Sequence, residues 1–136
     1  MSENLIHLEI VTPGRIVFND EVKSFTAPGV EGSFQILPRH APFITTIVPG
    51  PVKFVTKENE TRHFATSGGT VEVHANQITM LAETITANDE IDIAEAEKEK
   101  IEATRILESG EKGVDKEAAK HMLQTAMAKI KVAETK

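Results

Sequence analysis

The feature that most constrains this 136-residue chain is a break in composition at Ala87. All six Phe (18, 25, 34, 43, 54, 64) and all six Pro (13, 28, 38, 42, 49, 51) precede it, whereas nine of the fifteen Lys and Arg follow it. The two compositions imply two architectures in series, a β domain over residues 1–87 and a helical hairpin over 88–136.

Before the break, short runs alternate apolar and polar residues with period two. In Ile6-His7-Leu8-Glu9-Ile10 three aliphatics share one pleat face. Comparable runs cover 22–27, 33–37, 52–56, 63–66, 70–74 and 78–82. Turn signals part them: Pro13-Gly14, Asn19-Asp20, Pro28-Gly29, Pro49-Gly50, Glu58-Asn59-Glu60, Ser67-Gly68-Gly69 and Ala75-Asn76. Many short strands with no helical pattern between them predict an antiparallel sandwich or barrel. With only 4% aromatic residues, its core has to be built from Val, Ile, Leu and Phe.

After the break the period becomes helical. Asp92 is placed to cap a first helix, with Glu95 three residues on as a capping-box partner, and the helix runs to Glu108 before Gly110 stops it in the left-handed conformation. Asp115 caps a second helix whose Ala119, Met122, Leu123, Ala126, Met127, Ile130 and Ala133 fall on one stripe. Residues 88–111 hold nine acids and three bases, and residues 115–136 hold three acids and five bases, so antiparallel helices attract each other. Exposed pairs contribute only about 0–1 kcal/mol, so the same charges also read as two solvated faces. Ala at the contact positions buries little area, and a weakly docked hairpin able to rearrange is expected.

A net charge of -6 argues against nucleic acid or anionic lipid as partner. Without Cys there is no disulfide, thiolate metal site or thiol nucleophile. The opening Met1-Ser2-Glu3-Asn4 lacks the basic and apolar regions of a secretory signal, and no apolar run approaches the roughly 20 residues of a membrane span. Membrane association is therefore expected only through a partner.

Chemistry is hard to assemble. The five His, at 7, 40, 63, 74 and 121, lack the spacing of a helical metal pair. His7, His63 and His74 read as outward or edge strand residues and His121 as a polar-face helix residue. Ser67 lacks the Gly-x-Ser-x-Gly frame of a nucleophile elbow, and its glycines suit a tight turn. Neither Gly-x-Gly-x-x-Gly nor Gly-x-x-x-x-Gly-Lys occurs, so no phosphate cradle is expected. One segment, residues 29–45, is denser than a loop requires: two prolines, two glycines and the polar Glu31, Arg39 and His40. It serves equally as a rigid sheet corner or as a preorganised binding loop.

At this segment the chain resembles the epsilon subunit of the bacterial and chloroplast rotary ATP synthases, the counterpart of the mitochondrial delta subunit. The residues that carry the likeness are Ile10-Val11-Thr12-Pro13, the run Glu31-Gly32-Ser33-Phe34-Gln35-Ile36-Leu37-Pro38-Arg39-His40-Ala41-Pro42, Ser67-Gly68-Gly69 with Val71-Glu72-Val73, and Leu81-Ala82-Glu83. The acidic-then-basic tail after Ile91-Asp92 matches in position and length. The resemblance implies a β-sandwich of about ten strands, a C-terminal helical hairpin, and a non-catalytic rotor subunit that joins gamma to the c ring. It places the subunit peripherally on the cytoplasmic face of the bacterial inner membrane, or on the stromal face of the thylakoid in a plastid.

By the same resemblance Glu31 and His40 match residues that face the polar loops of the c ring. Ser33 stands where some members have a second acid, and Arg39 replaces a frequent small residue. In some members the second helix swings out and its bases meet the catalytic beta subunits to stop ATP hydrolysis; here Lys116, Lys120, Lys129 and Lys131 are the candidates. Others bind ATP on the folded hairpin through Ile/Leu-Asp-x-x-Arg-Ala. This chain reads Ile91-Asp92-Ile93-Ala94-Glu95-Ala96, with Glu95 in place of the arginine, so weak or no ATP binding and no cofactor are expected. The competing readings are a stand-alone small-ligand sensor and an enzyme, the latter lacking a convergent polar pocket.

Overall fold

The structure, a computed structural model, describes residues 4–135, so Met1, Ser2 and Glu3 of the opening segment and Lys136 of the basic tail lie outside it. Nine strands and two helices follow in order: β1 Ile6–Thr12, β2 Arg15–Gly29, β3 Gly32–Ile36, β4 Phe43–Ile47, β5 Gly50–Thr56, β6 Thr61–Thr66, β7 Gly69–His74, β8 Gln77–Ala82, β9 Ile85–Ala87, α1 Ile93–Ser109 and α2 Lys116–Ala133. This is the expected sandwich plus hairpin.

The long β2 organises the sandwich. Its first half pairs antiparallel with β1, its second half with β3 and β5, and Gly29 at its end with Ile47 of β4. Register shifts between Ile10 and Val11 and between Val22 and Ser24 bend it from one layer toward the other. The turn expected at Asn19-Asp20 does not form, because the two residues pair with Glu9 and Leu8 inside the β1–β2 ladder. Their polar side chains are hydrogen-bonded along the ladder and beyond it: Asn19 Oδ1 accepts from His7 Nε2 at 2.6 Å, and Asp20 accepts from the Glu21 N–H at 2.7 Å and from Lys57 of the β5–β6 turn at 3.1 Å. The β1–β8 pair is parallel, a departure from the all-antiparallel expectation. β4 and β9 match no run singled out from the sequence.

Period-two burial fills the space between the layers. β1 buries Ile6, Leu8 and Ile10 and turns His7 and Glu9 outward, the alternation that its sequence shows. Phe25 and Phe54 are fully buried, and Phe54 packs on Phe18 and Phe64 with ring centroids 4.4 and 5.6 Å apart. Each such side chain contributes about 1.5–3 kcal/mol. Every buried residue of this core lies between Ile6 and Ile85, so it closes without the hairpin.

The hairpin starts and stops where its caps lie. Asp92 accepts the Glu95 N–H at 3.1 Å, Asp115 accepts the Ala118 N–H at 3.0 Å, and Gly110 ends α1 at φ 67°. The helices meet on Ala96, Ala103, Ala119 and Ala126, all buried. α2 lies across β5 and β6. There Ala128 and Val132 pack on Ala65 with Ile91 beside them. The single stripe read from the sequence is therefore incomplete. α2 has one contact with α1 and another with the sandwich, and Met127, expected inside, is half-exposed.

Candidate functional site

β3 pairs only with β2, so among the described residues its other edge is free. Glu31 and Ser33 stand exposed at the turn that enters this strand, and Arg39 and His40 follow its far end. The ends of β3 lie roughly 13 Å apart at about 3.3 Å of rise per residue. The four residues expected on one partner surface are thus two pairs along one free edge, not one cluster.

The far pair sits on a rigid corner. The His40 N–H bonds the Leu37 carbonyl at 3.1 Å, with Pro38 second and Arg39 third at φ 66°, the arrangement of a type II turn. That position favours Gly or Asn, and here it is taken by an arginine. His40 Nδ1 donates to the Ala41 carbonyl at 2.7 Å, and its ring meets Phe43 edge-on at 5.7 Å.

A second surface went unread in the sequence. The cross-strand pairs Thr70↔Leu81, Leu81↔Val11 and Val11↔Ile16 put Leu81, Val11 and Ile16 side by side on the outward face, and Ile44 joins that face opposite Glu72. Ile16, Ile44 and Leu81 are 59%, 72% and 54% exposed. Large aliphatics left in water on one sheet face make that face a candidate docking surface.

On α2, Lys116, Lys120 and Lys131 fall within about 60° of arc and are exposed, whereas Lys129 points roughly the opposite way. Lys129 Nζ lies 3.5 Å from Glu99 of α1, whose Oε1 is buried without a hydrogen bond. Three of the four candidate bases share a free face and the fourth joins the two helices.

His121 lies exposed on the polar face of α2, as expected, and that face also makes a contact. Its Nε2 donates to the Ser67 carbonyl at 2.7 Å and lies 3.8 Å from Glu83. It tethers α2 to the sandwich over a hollow of about 420 Å³ that Glu83, Glu99 and Lys129 also line. Ser67 is nearly buried and its Oγ accepts from the Thr84 N–H and hydroxyl at 3.1 and 2.7 Å, so it is a joint of the sheet. Gly69 beside it is obligatory, since a Cβ there would overlap the Leu81 carbonyl oxygen.

Among the described residues no three His, Asp or Glu side chains gather as a metal site, and no helix is long and apolar enough to cross a membrane. A strand-built body with a free edge, an apolar outer face and a basic helix packed across two of its strands is the build of a protein that works by contact with other chains. Residues 5–88 match the family described as ATP synthase, Delta/Epsilon chain, beta-sandwich domain, and residues 89–134 match its long alpha-helix domain. The chain is 38% identical over 130 residues to the ATP synthase epsilon chain of Nitratidesulfovibrio vulgaris (strain DP4), with 96% of each covered. It is 37% identical over 134 residues to that of Syntrophomonas wolfei subsp. wolfei, with 98% of each covered.

The fold also matches a chain of the Euglena gracilis mitochondrial ATP synthase, in a structure of its OSCP, F1 and c-ring, with TM-score 0.83 and 18% identity over 92% of this chain and 79% of that one. A chain of the Tetrahymena thermophila mitochondrial ATP synthase central stalk and c-ring matches with TM-score 0.58 and 20% identity over 93% and 91%. The chain belongs to the ATP synthase delta/epsilon family as an epsilon chain of bacterial type: a non-catalytic subunit of the central stalk.

Proposed function

We propose that the sandwich joins gamma to the c ring while the hairpin serves as a releasable brake on ATP hydrolysis. The observation that carries this reading is the division of the molecule into a core that closes within the sandwich and a tail whose buried residues, Val132 apart, are alanines. The free edge of β3, flanked by Glu31, Ser33, Arg39 and His40, supplies polar groups for the ring loops. Glu31 and Arg39 bring opposite charges, and Ser33 accepts or donates without charge. The outward aliphatics Ile16, Ile44 and Leu81 supply the apolar face for gamma. Attachment through these subunits puts the chain at the cytoplasmic face of the bacterial membrane.

When the hairpin opens, Lys116, Lys120 and Lys131 already share one face for an acidic stretch of the catalytic beta subunits. Lys129 becomes available only after leaving Glu99. Isolation of the assembled complex through gamma tests the rotor assignment: this chain is expected in equal amount, and its loss while gamma and the catalytic subunits remain together would refute it.

ATP is not expected to govern this hairpin. Glu95 is exposed where the binding motif has arginine, and Glu83 and Glu99 add two carboxylates to the hollow between hairpin and sandwich. Like charges repel a polyphosphate. Calorimetry should show no binding at micromolar ATP, and a saturable isotherm in that range would contradict the reading.

A further inference from the structure

The Arg39 corner closes on Asn76, which the sequence marks only as half of the Ala75-Asn76 turn. Asn76 occupies the turn between β7 and β8 at φ 60°. Its Oδ1 accepts the backbone N–H of Arg39 at 2.8 Å, and its Nδ2 donates to the Leu5 carbonyl at 3.0 Å. Its own carbonyl accepts the His7 N–H at 3.3 Å. The start of β1, the β7–β8 turn and the Leu37–His40 turn, distant in sequence, thus meet on one half-buried side chain.

Asn suits the place because it tolerates a left-handed backbone and carries a donor and an acceptor on one planar group. The turn leaves the Arg39 N–H without a partner of its own, since its internal bond runs from His40 to Leu37. Arg39 is also the strained residue, a long side chain on a left-handed backbone. A bond from a fixed neighbour to that N–H therefore acts where the corner is most inclined to relax.

We propose that Asn76 is a positioning residue for partner binding: it holds the corner so that Arg39 and His40 meet the c ring in one orientation. The inference rests on the reading of this corner as a ring contact. Preorganisation of this kind raises affinity by removing the ordering cost at docking. Asn76 touches no partner in this account and acts through the backbone of Arg39.

The test titrates the full chain, bound to gamma, onto detergent-solubilised c rings, with amide exchange of Arg39 and His40 measured in parallel. Asn76→Gly keeps the left-handed backbone and removes both side-chain bonds. It should weaken ring binding about three- to tenfold, the effect of one lost hydrogen bond, and speed exchange at Arg39. Asn76→Asp keeps an acceptor for the Arg39 N–H and should restore both toward the parent values. If Glu31→Ala and His40→Ala weaken binding while Asn76→Gly speeds exchange without changing affinity, the positioning role is overturned and the ring contact stands. If Glu31→Ala and His40→Ala leave affinity unchanged, the ring contact itself falls and the inference with it.

Discussion

A left-handed backbone costs a non-glycine residue roughly 1–2 kcal/mol, and Arg39 carries that cost at φ 66° on an exposed turn. Its guanidinium makes no hydrogen bond or ion pair among the described residues, so folding gains nothing visible in return. Arg39→Gly should therefore raise stability by about 0.5–1 kcal/mol in thermal or urea unfolding while removing a charge from the proposed ring face. An unchanged or lower stability would mean that the corner is not strained. His121 shows how a residue role can escape the sequence. Its spacing placed it on the polar face of a helix, correctly, yet that face meets the Ser67 carbonyl 54 positions away. Nothing local to position 121 records that contact, because the acceptor is a backbone atom whose direction is set by the Ser67-Gly68-Gly69 joint.

At the scale of elements, the hairpin is held by two small interfaces and one tether. Between hairpin and sandwich, the His121 bond at 2.7 Å is the side-chain hydrogen bond among the described residues, while Asn88, where the hairpin begins, holds the Thr135 carbonyl at 3.1 Å. A net hydrogen bond contributes about 0.5–1.5 kcal/mol. His121→Ala should thus speed amide exchange in α2 by roughly two- to tenfold and leave β1 and β8 as protected as before. Equal protection of α2 in both proteins would remove His121 as a tether.

The helices were legible because their signals are local: Asp92, Gly110 and Asp115 act within one turn. The strands were legible where one face is buried, as in β1. Long-range competition accounts for the rest. Asn19-Asp20 reads as a turn until β1 pairs across it, and β4, with Phe43 and Ile44 both exposed, offers no alternation to read. α2 shows two contacting faces only once β5 and β6 lie beneath it, which is why Ala128 and Val132 were missed.

The whole molecule pairs a body that closes without its tail with a tail that buries mostly alanine. The Phe-containing core is confined to the sandwich, so loss of the hairpin should leave the body folded and its partner surfaces intact. The family and the two-part organisation were legible in the central run and in the break at Ala87. The surfaces were only half legible. The polar residues flanking β3 were legible through the resemblance, whereas its free edge and the apolar outer face exist only through the pairing of the strands. The brake on hydrolysis depends on the tail alone. The most direct measurement is the steady-state ATP hydrolysis rate of the assembled complex carrying either the full chain or one lacking residues 88–136, with this subunit retained in both. The account predicts faster hydrolysis without the tail. Equal rates, with the shortened chain still bound to gamma, would contradict it.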